Sequence, residues 1–224
     1  MLFYDRDTKT TGTAVDTGGF IMKKQLVFIL DRSGSMSGLE KATISGFNET
    51  IRKHRAADTD CAVTTILFDD EIEVLHDHMD LAYVPELTEK EYFTRGCTAL
   101  LDAVGSTLNG VRKGEDDLVF VVITTDGLEN ASREYSYQTV KQMIEKRKKD
   151  GGWEFVFLGA NIDAPEVAQT LGIDRKHAAT YKADEKGTRL NFNAVSATAC
   201  KYFGGSGFAE DWDSEIVDYE KKNR

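Results

Sequence analysis

Hydrophobic and polar positions alternate between two rhythms along this chain. Residues 26–30 (LVFIL) and 118–123 (LVFVVI) are unbroken apolar runs, the reading of strands buried on both faces. Residues 62–68 (AVTTILF) and 153–158 (WEFVFL) are rich in β-branched and aromatic residues and predict two more strands. In residues 71–75, Ile72 and Val74 alternate with Glu71 and Glu73, which predicts a half-buried antiparallel partner at a sheet edge, turned at Asp69-Asp70. Residues 178–181 predict a last short strand. Between these runs the spacing becomes helical: residues 39–55, with Ser37 as the expected cap, then 99–111, 135–149, 164–171 and 188–203. Gly204 to Gly207 reads as a helix stop. Residues 81–96 are mixed and polar, a loop or short irregular helix. Strands alternating with helices predict one α/β domain, a doubly wound, mostly parallel sheet with helices on both faces.

The ends read differently. Residues 1–22 are rich in Thr, Gly and Asp and are expected to form an irregular leader; Met22 is an alternative start. The domain is expected over 23–207, followed by a surface tail over 208–224. Neither the leader nor residues 26–30 has the long apolar centre of a signal peptide, and no apolar run approaches the roughly 20 residues of a membrane span. The expected location is cytoplasmic. A net charge of −10 argues against a nucleic-acid backbone as partner. Three scattered cysteines and no C-x-x-C support neither a disulfide framework nor a zinc knuckle.

The candidate chemistry sits where the two most apolar strands end. The first stops at Asp31 and runs into Asp31-x-Ser33-x-Ser35, with Gly34 between the serines. The other ends in Thr124-Thr125-Asp126-Gly127, and Gly96-Cys97-Thr98 precedes the helix predicted between them. In a doubly wound sheet, ligands bind outside the carboxyl ends of the strands, where strand order reverses. Asp31, Ser33, Ser35, Thr98 and Asp126 are thus five oxygen donors for one hard cation, Mg²⁺ or Mn²⁺; Ca²⁺ normally asks for more carboxylates. Each residue has a plainer reading as a helix cap or turn residue. Glu129 and Asn130 read as surface loop ahead of a supporting role. His76-Asp77-His78 reads as exposed edge polarity ahead of a second metal site, and Cys97 as a small buried residue.

LDRSGSM (30–36), GCTAL (96–100) and ITTDG (123–127) together resemble a von Willebrand factor type A domain with its metal-ion-dependent adhesion site, MIDAS. The resemblance covers about residues 23–202 and is nearer to small bacterial single-domain members, including those of tellurite-resistance type, than to integrins. It implies a Rossmann-like six-stranded sheet with one antiparallel edge strand. It also implies a non-enzymatic module that binds a protein partner through the metal, completed by the partner's Asp or Glu carboxylate. Two other readings stay open. One is a metal-dependent hydrolase of phosphate esters, although no phosphate-binding G-x-x-x-x-G-K-[ST] loop is present. The other is a structural subunit in which the metal staples two loops.

Overall fold

The computed structural model describes residues 23–57 and 59–223. The expected leader lies outside these residues. Six strands form one sheet: β1 (Lys24–Asp31), β2 (Ala62–Phe68), β3 (Ile72–Asp80), β4 (Leu118–Thr125), β5 (Trp153–Ala160) and β6 (Ala178–Tyr181). Their order is β3-β2-β1-β4-β5-β6, parallel throughout except for antiparallel β3 at the edge. From β1 the chain runs outward to β2 and β3, then returns to β4 on the other side of β1. The reversal therefore falls between β1 and β4, where Leu30 pairs with Thr124 and the two strands end beside each other.

Six helices cover the faces: α1 (Glu40–Ala56), α2 (Leu100–Gly110), α3 (Tyr137–Asp150), α4 (Ala164–Thr170), α5 (Glu185–Phe203) and α6 (Ser214–Lys222). The alternation within β1 explains its continuous apolar run. Leu26, Phe28 and Leu30 enter the core beneath α1 and α5, while Val27 and Ile29 enter the core beneath α2, α3 and α4. All five are fully buried. Among the described residues no helix is long and apolar enough to cross a membrane.

Four local expectations need correction. Ser37 does not cap α1: a single 3₁₀ turn over Gly34–Met36 intervenes, and the helix starts at Glu40. Residues after Gly207 are not a detached tail. Trp212 is buried and its indole N–H donates to the Lys176 carbonyl at 2.7 Å, while Ile216 of α6 joins the core beneath α5. This short amphipathic helix gains its stability from packing. The edge strand is longer than the alternating stretch, and it carries register irregularities opposite Val63 to Ile66. These turn His76 inward onto Phe47, with its ring 3.0 Å from the Thr65 hydroxyl. His78 instead points toward Gln25 on the other face. His76 is therefore buried rather than exposed, and no shared metal site joins the two histidines. Cys97, expected to be buried, is exposed.

Candidate metal site

The two carboxylates sit where the reversal places them. Asp31 is the last residue of β1 and Asp126 directly follows β4; both are buried. The Asp31 carboxylate accepts the Ser33 N–H at 2.6 Å through Oδ1 and the Thr125 hydroxyl through Oδ2. That first bond bends the chain after β1 so that Ser33 and Ser35 turn back together, with their hydroxyls 3.0 Å apart. Burial raises the Asp31 carboxyl to about 6, against the hydrogen bonds of Ser33 and Thr125, and the nearby Asp126 charge adds to the rise. Burial raises Asp126 as well, against the Ser35 hydrogen bond. Asp126 Oδ1 is buried and has no hydrogen-bond partner among the described residues.

Thr98 is delivered by a separate loop. Gly96 adopts φ +65°, a left-handed conformation that favours glycine, and a Cβ there would fall 1.8 Å from Asp70 Oδ1. Gly34 N–H donates to the Gly96 carbonyl at 3.2 Å, which ties the serine loop to the threonine loop. Gly127 completes the enclosure. A Cβ on it would lie 3.1 Å from Thr98 Oγ1 and 3.2 Å from Ser35 Oγ, tighter than ordinary contact, so both hydroxyls face the small space beside Gly127. All five predicted residues are thus drawn together at the carboxyl ends of β1 and β4.

Support comes from residues for which a supporting role was the lesser reading, or which carried no pattern. Asn130 is a positioning residue: its side-chain oxygen accepts the Thr98 N–H at 2.9 Å. Glu129 accepts the N–H groups of Leu101, Ala131 and Ser132, and so holds the start of α2. Both residues do lie on a loop, with Asn130 exposed as expected, and they take the supporting role as well. Tyr92, buried in the polar stretch after β3, donates its hydroxyl to the Asp31 carbonyl. No periodicity marked it.

Arg32, a spacer in the motif, is buried and pairs with Asp69 at 3.0 Å and Glu73 at 2.7 Å. Asp69 also receives Arg95 at 2.7 Å, so it joins the serine loop to the loop before Thr98. Burial opposes ionisation of Asp69, but hydrogen bonds from Arg95 and the Glu71 N–H, with the Arg32 charge, hold it below the usual carboxylate range. The Arg32 guanidinium therefore faces Asp69 and Glu73 and leaves the Asp31–Asp126 pair without it.

The donor set fits a hard divalent cation: three hydroxyls and two buried carboxylates, one of which has an orphaned oxygen. It does not fit a soft metal. Among the described residues no cluster of three or more His, Cys, Asp or Glu forms a site.

No protein-family model and no curated protein sequence matches the chain. Solved structures do. The vWF domain of the pilus tip protein Mfa5 from Porphyromonas gingivalis aligns with a TM-score of 0.64 at 11% identity, over 81% of this chain and 96% of that one. The chain has the von Willebrand factor A fold. The pilus adhesin SpaC from Lactobacillus rhamnosus GG aligns at 0.67 and 11% identity, over 83% of this chain and 31% of its own. Proximal thread matrix protein 1 from the mussel byssus, solved with a zinc-occupied MIDAS motif, aligns at 0.61 and 14% identity, over 80% of this chain and 46% of that one. This chain thus spans less than half of the adhesin and the byssus protein.

Proposed function

We propose that the protein is a divalent-metal-dependent binding module whose MIDAS-type site captures a carboxylate of a partner protein. One observation carries this reading. Two buried carboxylates, one with an unpartnered oxygen, converge with three hydroxyls beside Gly127. Asp31, Ser33, Ser35, Thr98 and Asp126 would hold the ion, Mg²⁺ or Mn²⁺ by the hardness of the donors. When bound, the cation supplies a Lewis-acidic position for an incoming carboxylate oxygen. The protein's own part is geometric: Asn130 fixes the threonine loop, Asp69 ties it to the serine loop, and three of the five donors are neutral hydroxyls, so only Asp31 and Asp126 bring charge to the ion.

The neighbours in structure space support a protein partner, since they include a pilus adhesin and a byssus matrix protein. The hydrolytic alternative lacks a general base of the commonest kind. His54 lies against Cys200, His76 against Thr65, His78 against Gln25 and His177 against Glu154, all away from the site. The test is calorimetric titration with Mg²⁺ and Mn²⁺ on wild type and Asp31→Ala, with circular dichroism alongside. Binding in the wild type that disappears in a folded variant supports the module. Unfolding of the metal-free protein would favour the staple.

A further inference from the structure

Beside the candidate site lies an apolar groove of about 590 Å³ between the loop after β4 and α4. Its apolar lining is Leu128, Tyr137, Ile162 and Val167, and its rim carries Asp163 and Glu166. Leu128 is 61% exposed and Tyr137 41%, so both present apolar surface to an incoming chain. The residues that line the groove follow closely on the strand ends that carry the candidate site. Leu128 is two residues past Asp126, and Ile162 is three past Gly159, the residue of β5 that pairs with Thr125.

Adjacent strands lie about 4.8 Å apart, so the groove opens one to two strand spacings, roughly 5–10 Å, from the carboxylate position. An extended peptide advances about 3.3 Å per residue, and two or three residues cover that distance. The rim is acidic and so is the whole chain, at −10, which selects a cationic neighbour on the partner.

We infer that the partner is an extended segment in which an Asp or Glu is followed, two or three residues away, by a bulky aliphatic or aromatic side chain seated in this groove, with Lys or Arg beyond it at the rim. This rests on the metal reading and adds the specificity that a carboxylate alone does not give. The carboxylate sets metal dependence; Leu128 and Tyr137 set which carboxylates are taken.

The experiment pans a random peptide display library against the full chain in Mg²⁺ and elutes with EDTA. Wild type, Leu128→Ser/Tyr137→Ser and Asp31→Ala are run in parallel. Both groove residues are exposed, so the double variant keeps the core intact. The expected wild-type yield carries an acidic residue with a Leu, Ile, Met or Phe two or three positions away. In a synthetic copy of the best sequence, replacing that residue by Ser weakens binding to wild type at least about tenfold, as loss of a buried apolar side chain requires. The double variant still selects the acid but not the apolar residue. Acid-only enrichment on wild type, or an apolar preference unchanged in the double variant, would overturn the groove and leave the metal reading standing. Enrichment that survives on Asp31→Ala, or none that EDTA releases, would overturn the metal reading and the groove with it.

Discussion

Replacing Asp31 by Asn should stabilise the metal-free protein while abolishing metal binding. Asp31 is fully buried, and its carboxyl is raised from 3.8 to about 6. Each unit is worth 1.36 kcal/mol, so holding this group ionised costs the folded state about 3 kcal/mol. The sign follows from the direction of the shift. A carboxyl raised in the folded state binds its proton more tightly there. The cost is therefore complete above the folded value and is relieved as pH falls through 6 toward 3.8.

Asparagine fits the local hydrogen bonds. Its oxygen still accepts the Ser33 N–H, and its amide can donate to Thr125 Oγ1, whose proton turns to the Gly127 carbonyl 3.2 Å away. In chelator at about pH 8 the variant should be more stable by roughly 2 kcal/mol, about 4–8 °C in melting temperature for a chain of this size. Near pH 4.5 the gap should close, because wild type has taken up the proton. With Mg²⁺ at about a hundred times its dissociation constant, wild type gains about 2.7 kcal/mol that the variant does not, and the order reverses. Thermal melts at the two pH values, with and without metal, read all of this. A variant less stable than wild type in chelator at high pH, or a gap indifferent to pH, would refute the reasoning.

Gly127→Ala places a methyl between Thr98 Oγ1 and Ser35 Oγ; calorimetry should show at least a tenfold weaker metal affinity, an effect of about 1.4 kcal/mol, in a protein that still folds. Asn130→Ala removes the acceptor of the Thr98 N–H and should weaken metal binding about tenfold by the same assay. Asp69→Ala leaves the buried Arg32 without its inner partner and frees the two loops; urea unfolding should register a loss of about 3–5 kcal/mol. Trp212→Ala should cost about 3 kcal/mol in the same measurement, since its ring is buried and its N–H is bonded to Lys176.

The parts of the fold that sequence made legible are those where local pattern and tertiary packing agree. The runs ending at Asp31 and at Thr125 are apolar because both faces of those strands are covered, and that leaves no ambiguity of period. That Asp31, Ser33, Ser35, Thr98 and Asp126 lie together was readable because each follows a strand or precedes a helix of this sheet. What escaped depends on contacts across the fold. Arg32 reads as a spacer, because only the folded chain brings Asp69 and Glu73 to it. Tyr92 lies in a stretch with no period, yet it anchors the Asp31 backbone. His76 reads as edge polarity until an irregularity in β3 turns it onto Phe47. Residues 208–223 read as charged surface because the few apolar residues that pack, Phe208, Trp212 and Ile216, are diluted among acids and lysines.

The central claim, that a hard cation sits at Asp31, Ser33, Ser35, Thr98 and Asp126 with a position open to a carboxylate, is most directly tested by water-proton relaxation with Mn²⁺. Relaxation should be enhanced at one Mn²⁺ per chain. Acetate should reduce it by displacing bound water, acetamide should not, and Ser33→Ala/Ser35→Ala should lose it. No Mn²⁺ bound to the wild type, or an enhancement that acetate leaves unchanged, would contradict it.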